Sequence, residues 1–112
     1  LPVAMNQALT EKTCEFVMPD LERIGGVTGW RQAAALASVY QVPMSSHLFP
    51  EVSAHLLAAT PTCHWLEYVD WMDAIVVEPT RVSNGQYPVS TRPGNGLVWD
   101  EAAVRRYKMN GF

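Results

Sequence analysis

Three short apolar runs, each closed by a polar residue, alternate with stretches of helical periodicity over the first 70 residues. The runs are Glu15-Phe16-Val17-Met18-Pro19-Asp20, Val42-Pro43-Met44-Ser45-Ser46-His47 and Cys63-His64-Trp65-Leu66-Glu67, and their length suits buried β-strands. Pro2 to Lys12, with Val3 and Leu9 among polar residues, reads as a short helix feeding the first strand. Ala33, Leu36, Ala37 and Tyr40 form an apolar stripe on a helix from about Gly29 to Tyr40, with Thr28 as its N-cap. Val52, Leu56 and Ala59 face one way on a helix from about Glu51 to Ala59, preceded by Pro50 and stopped by Thr60-Pro61-Thr62. This is βαβ grammar, in which the carboxyl ends of parallel strands meet at one rim. Asp20, His47 and Glu67 are therefore expected to converge there, and an acid, an imidazole and a second acid point to proton transfer.

After Asp70 the pattern changes. Pro79, Ser83-Asn84-Gly85 and Arg92-Pro93-Gly94-Asn95-Gly96 punctuate short apolar pieces such as Ile75-Val76-Val77. These signals predict irregular β structure with hairpins, closing in a helix from about Asp100 to Tyr107 with Asp100 as N-cap. The expected organisation is residues 1–70 as βα units and 71–112 as a β-rich tail with a short helix.

Composition limits what such a chain does alone. A (β/α)8 barrel needs about 250 residues, and this chain has 112. Its 48% apolar content and net charge of -3, without a basic stripe, argue against nucleic acid as a partner. No apolar stretch approaches the roughly 20 residues of a membrane span. The chain opens at Leu1 without an initiator Met or a signal-peptide pattern, and is expected to be cut from a longer cytoplasmic protein. Cys14 and Cys63 are too few for a disulfide framework and are expected to pack as small apolar side chains.

Other chemistries fit the residues less well. Ser45-Ser46-His47 resembles a nucleophile run but lacks the glycine elbow that exposes such a serine. His47, His55, His64 and Cys63 match no zinc spacing. Gly25-Gly26 lacks a phosphate-loop fingerprint and reads as a tight turn. Trp30, Trp65, Trp71 and Trp99 are expected to be packing residues.

Asp20 followed by Ile24-Gly25-Gly26-Val27-Thr28-Gly29-Trp30 closely resembles the late barrel segment of the mandelate racemase subgroup of the enolase superfamily. Pro43-Met44-Ser45-Ser46-His47-Leu48-Phe49, Ser53-Ala54-His55-Leu56-Leu57-Ala58-Ala59-Thr60-Pro61-Thr62 and His64-Trp65-Leu66-Glu67 resemble the same group in the same order. The likeness is weaker in the tail, at Glu78-Pro79-Thr80 and Gly96-Leu97-Val98-Trp99. The resemblance implies an α/β fold: the last βα units of a (β/α)7β TIM-like barrel, followed by a tail returning to a capping domain outside this chain. It implies a Mg²⁺-dependent enzyme that abstracts the α-proton of a carboxylic acid to give an enolate. His47 would be the base or acid, Asp20 would orient its imidazole, and Glu67, protonated, would hydrogen-bond the substrate carboxylate.

The subgroup's Mg²⁺ carboxylates and paired lysines lie on earlier strands, outside this chain; the resemblance implies racemisation or epimerisation of a 2-hydroxy acid or acid sugar, with dehydration of an acid sugar as the alternative, because both begin with the proton abstraction assigned to His47. The parent enzymes are commonly homo-oligomers. The isolated chain is expected to be inactive, and the competing reading is a noncatalytic, self-associating module, because parallel segments with open edges seek partners.

Overall fold

The structure, a computed structural model, describes residues 2–110; Leu1, where the chain opens, lies outside them. The chain divides into two compact units, Leu1–Val69 and Asp70–Phe112. In the first, α1 (Val3–Thr10), α2 (Gly26–Tyr40) and α3 (Pro50–Ala58) alternate with the three apolar runs. The runs pair in parallel and in chain order, through bridges Val17 to Met44, Asp20 to His47 and Met44 to Cys63.

Among the described residues these runs form isolated bridges rather than the continuous strands the sequence predicts, and each interruption has a cause. Between the first two runs, Val17 N–H donates to Pro43 O and Ser45 N–H to Val17 O. The next rung needs an N–H from Pro19, which has none, and only His47 N–H to Pro19 O (3.3 Å) continues the register. Between the second and third runs, His64 N–H donates to Met44 O, but Ser46 N–H then reaches Trp65 O instead of His64 O. The third run thus carries one extra residue at this point, as in a β-bulge.

One face of the paired runs is covered. Val17 and Met44 share a core with Leu9 of α1, Trp30, Ala33, Ala34 and Ala37 of α2, and Leu57 of α3. The residues flanking Val17 point the other way, as the two-residue period of extended chain requires, and Phe16 and Met18 are 54% and 49% exposed. Trp30 donates its indole N–H to Thr60 Oγ1 (3.1 Å), which in turn donates to Leu56 O, so the core's largest side chain leaves no polar atom unpaired.

Several local expectations need correction. Thr28 does not cap α2. The helix starts at Gly26, with Gly25 at the cap position, because the chain turns at Gly25 (φ 96°) and Gly26 (φ 67°), a left-handed path that costs glycine least. Ser53, Ala54 and Leu57 form the buried face of α3, whereas Ala59 lies beyond its end and is exposed. Of the four tryptophans only Trp30 is a packing residue within its unit; Trp65, Trp71 and Trp99 are exposed. Cys63 is exposed too, at the open end of the third run.

The second unit is less β-rich than the sequence predicts. It holds two antiparallel bridges, Val76 to Trp99 and Ser83 to Gln86, the latter closing a turn at Asn84 and Gly85. A 3₁₀ turn (Asp73–Ile75) and α4 (Glu101–Tyr107) complete it. Asp100 caps α4 as expected, accepting Ala103 N–H (3.0 Å), and Arg81 to Asp73 and Arg92 to Glu78 are ion pairs.

Candidate functional site

Asp20 ends the first run and opens a single helical turn. Its Oδ1 accepts the amides of Glu22 (2.9 Å) and Arg23 (3.0 Å), and its carbonyl accepts Ile24 N–H. These bonds fix the carboxylate rotamer, leaving Oδ2 to meet His47 Nδ1 at 3.0 Å. The glycines that follow let α2 return against this turn. At Gly29 an added Cβ would lie 1.7 Å from Ile24 O, so only glycine permits the approach.

The electrostatics follow from these contacts. The Arg23 amide holds the Asp20 carboxyl below its ordinary value, aided by the His47 hydrogen bond and the Glu22 amide and opposed by desolvation. Asp20 is then an ionised, acceptor-only partner at neutral pH. His47 Nδ1 must therefore carry the hydrogen, leaving the Nε2 lone pair free to take a proton. The Asp20 side chain is 12% exposed and that of His47 40%, so the orienting group is shielded while the imidazole remains accessible.

His47 leads into a strained turn. Leu48 (φ 57°) and Phe49 (φ 47°) are consecutive non-glycine residues in the left-handed region, each costing roughly 1–3 kcal/mol. The turn is held at three points. Glu67 Oε2 accepts Leu48 N–H (2.7 Å), the fully buried Ser53 donates Oγ–H to Leu48 O (3.0 Å), and Ser53 N–H donates to Phe49 O. Glu67 is thereby tied to the residue after His47, and its amide is tied to the residue before it, through Ser46 Oγ (3.0 Å).

The structure thus joins all three sequence-predicted residues, Asp20 directly to His47 and Glu67 through the flanking main chain. Asp20, His47 and Arg23 line a hollow of about 410 Å³ with Met5, Met18 and Ile24, whereas Glu67 lines one of about 360 Å³ with Phe16, His64, Trp65 and Leu66. Sequence reasoning missed Ser46 and Ser53. Ser46 had its signal in the Ser45-Ser46-His47 run and Ser53 in the resemblance motif it opens, but neither pointed to support of the turn.

Comparison with known proteins places this chain in a family. A model of the enolase C-terminal domain-like family matches residues 2–103. The chain belongs to that family. Two solved structures superimpose on this enolase-family chain with a TM-score of 0.90. One is an enolase from alpha pretobacterium bal199 with bound Mg, 50% identical over 94% of this chain and 29% of its own. The other is an enolase from Bradyrhizobium complexed with magnesium and mandelic acid, 44% identical over 97% of this chain and 30% of its own. The L-talarate/galactarate dehydratase of Salmonella typhimurium is 31% identical over 88% of this chain and 25% of its own length. The enolase-family chain thus spans between a quarter and a third of the length of these relatives.

Proposed function

We propose that His47 is a general base or acid acting on the α-proton of a carboxylic acid bound at a site that this chain completes together with the rest of an enolase-superfamily barrel. The observation that carries this reading is the Asp20 to His47 bond, which leaves Nε2 as the proton-accepting atom. A positioned imidazole of this kind contributes about 10²–10⁴-fold to proton transfer. In this reading Glu67, whose Oε2 accepts Leu48 N–H, hydrogen-bonds through Oε1 the substrate oxygen on which charge develops. In this reading residues 1–70 are the last βα units of a (β/α)7β barrel, and residues 71–112 return to a capping domain.

The substrate class is a 2-hydroxy acid or an acid sugar. The Bradyrhizobium neighbour with mandelic acid supports the first and the Salmonella dehydratase the second. Both reactions share the step assigned to His47, and we favour racemisation or epimerisation because the mandelate-bound neighbour is the more similar of the two. Among the described residues no group of three or more His, Cys, Asp or Glu could hold a metal ion. The complete enzyme takes Mg²⁺, as the bound Mg of two neighbours supports, on carboxylates outside this chain.

The test is deuterium incorporation at the α-carbon of a panel of 2-hydroxy and sugar acids, using the full-length protein with Mg²⁺ in D₂O. Loss in His47→Asn of exchange from the enantiomer whose α-proton faces His47, with loss of interconversion of the two configurations, supports the reading; exchange and interconversion of both configurations at the parent's rate overturn it. Whether the exchanged product is the epimer or a keto acid separates racemase from dehydratase.

The noncatalytic alternative has one observation in its favour. Phe16, Met18 and Trp65 expose apolar surface on the uncovered side of the paired runs, as a self-associating module would.

A further inference from the structure

The β-bulge in the third run leaves two amides without main-chain acceptors, and serine hydroxyls supply them. Trp65 N–H donates to Ser45 Oγ (3.2 Å), and Glu67 N–H donates to Ser46 Oγ (3.0 Å). The second of these closes a loop. Ser46 precedes His47 and binds the Glu67 main chain, while Leu48 follows His47 and binds the Glu67 carboxylate. The peptide on both sides of His47 is therefore fastened to one residue of the neighbouring run, while Asp20 fastens the imidazole itself.

We propose that Ser46 is a positioning residue for the proton-transfer pair: its hydroxyl compensates the register slip and so sets where Glu67 stands relative to His47. The proposal rests on the function proposed above and extends it to a residue that need not touch substrate. Ser46 is fully buried, and its own N–H is taken by Trp65 O, so its side chain is fixed against the third run. A bulge next to an active site re-aims the side chains that follow it, and here the re-aimed side chain is Glu67, two residues beyond Trp65. Without the hydroxyl, the part-buried Glu67 amide would lack its partner, and the cheapest relief is for the main chain at 66–67 to shift toward solvent. That shift would withdraw Oε2 from Leu48 N–H and release a turn that already holds two left-handed residues.

The test compares Ser46→Ala with Ser45→Ala in the full-length protein, by hydrogen exchange of peptides spanning residues 46–49 and 65–68 and by steady-state kinetics. Ser46→Ala should speed exchange of both the Leu48 and the Glu67 amides by about tenfold or more, as loss of one hydrogen bond to each implies, while α2 amides stay protected. It should lower kcat for α-proton exchange by about tenfold or more and leave KM within about twofold. Ser45→Ala should speed exchange at Trp65 alone. Unchanged protection of Leu48 in Ser46→Ala overturns the coupling, and equal loss of protection throughout α2 reduces Ser46 to a core residue; either refutes the proposal. The exchange measurement stands without turnover, so an unmodified protein that shows no α-proton exchange refutes the function while the positioning is still decided.

Discussion

Replacing Asp20 with Asn tests the site most directly, because it removes a charge and changes almost no volume. The Asp20 carboxylate makes three bonds, two from backbone amides to Oδ1 and one between Oδ2 and His47 Nδ1. The two amides are donors, so they hold the Asn oxygen toward themselves and turn its NH₂ toward His47. Nδ1 must then accept, the imidazole hydrogen moves to Nε2, and the atom that should take the substrate proton becomes a donor. The productive tautomer in the variant lacks the parent's hydrogen bond to a charged carboxylate, roughly 1.5–3 kcal/mol, or about 10- to 150-fold in rate. Loss of the carboxylate's support for the imidazolium adds to this, so kcat for α-proton exchange in the full-length Asp20→Asn protein should fall by at least about 100-fold, within the range of general base catalysis. KM should move much less, and ¹⁵N shifts of His47 should report the changed tautomer. A variant that keeps kcat within about threefold of the parent would refute the tautomer argument.

Four further outcomes follow from the structure. Asp20 also contributes to acid stability: its folded pKa lies below the ordinary value of 3.8, so its contribution is fully present above that value and is lost as pH falls through the lowered one. Urea midpoints measured from about pH 6 down to about pH 3 should therefore drop less steeply in Asp20→Asn than in the parent, and parallel curves would contradict this. Thr60→Val should cost about 1–3 kcal/mol in urea unfolding, because it strands the buried Trp30 N–H without an acceptor; a loss under about 0.5 kcal/mol would show that another acceptor replaces it. Gly29→Ala should destabilise by about 3 kcal/mol or more, since its Cβ would strike the main-chain oxygen of Ile24, and soluble expression with an unchanged melting temperature would exclude that clash. The 112-residue chain alone should self-associate through its uncovered apolar face, and a single monomeric species by sedimentation would count against it.

The alternation of apolar runs and helical stripes was legible because burial leaves a mark in composition. Ala33 and Ala37 are core residues as their spacing requires, and Asp100 caps α4 because a short acceptor ahead of a helix has few other uses. The polar ends of the runs were legible for the same reason: Asp20, His47 and Glu67 break apolar segments at equivalent positions, and parallel pairing carries them to one end. What the sequence could not show was how the pairing fails. The missing N–H of Pro19 is visible in the sequence, but the slip at His64 and Trp65 depends on which carbonyl Ser46 meets across the ladder, a matter of three-dimensional register. That slip makes the Ser46 hydroxyl the acceptor of the Glu67 main-chain N–H and ties Glu67 to the turn after His47. Exposure was equally a tertiary matter. Trp30 and Trp65 are the same residue type, yet one lies under α3 and Thr60 while the other sits on the uncovered side of the runs. The sequence determined which residues are able to do chemistry; the fold decided their register and orientation, because hydrogen bonds between distant segments are chosen by geometry that no local pattern encodes.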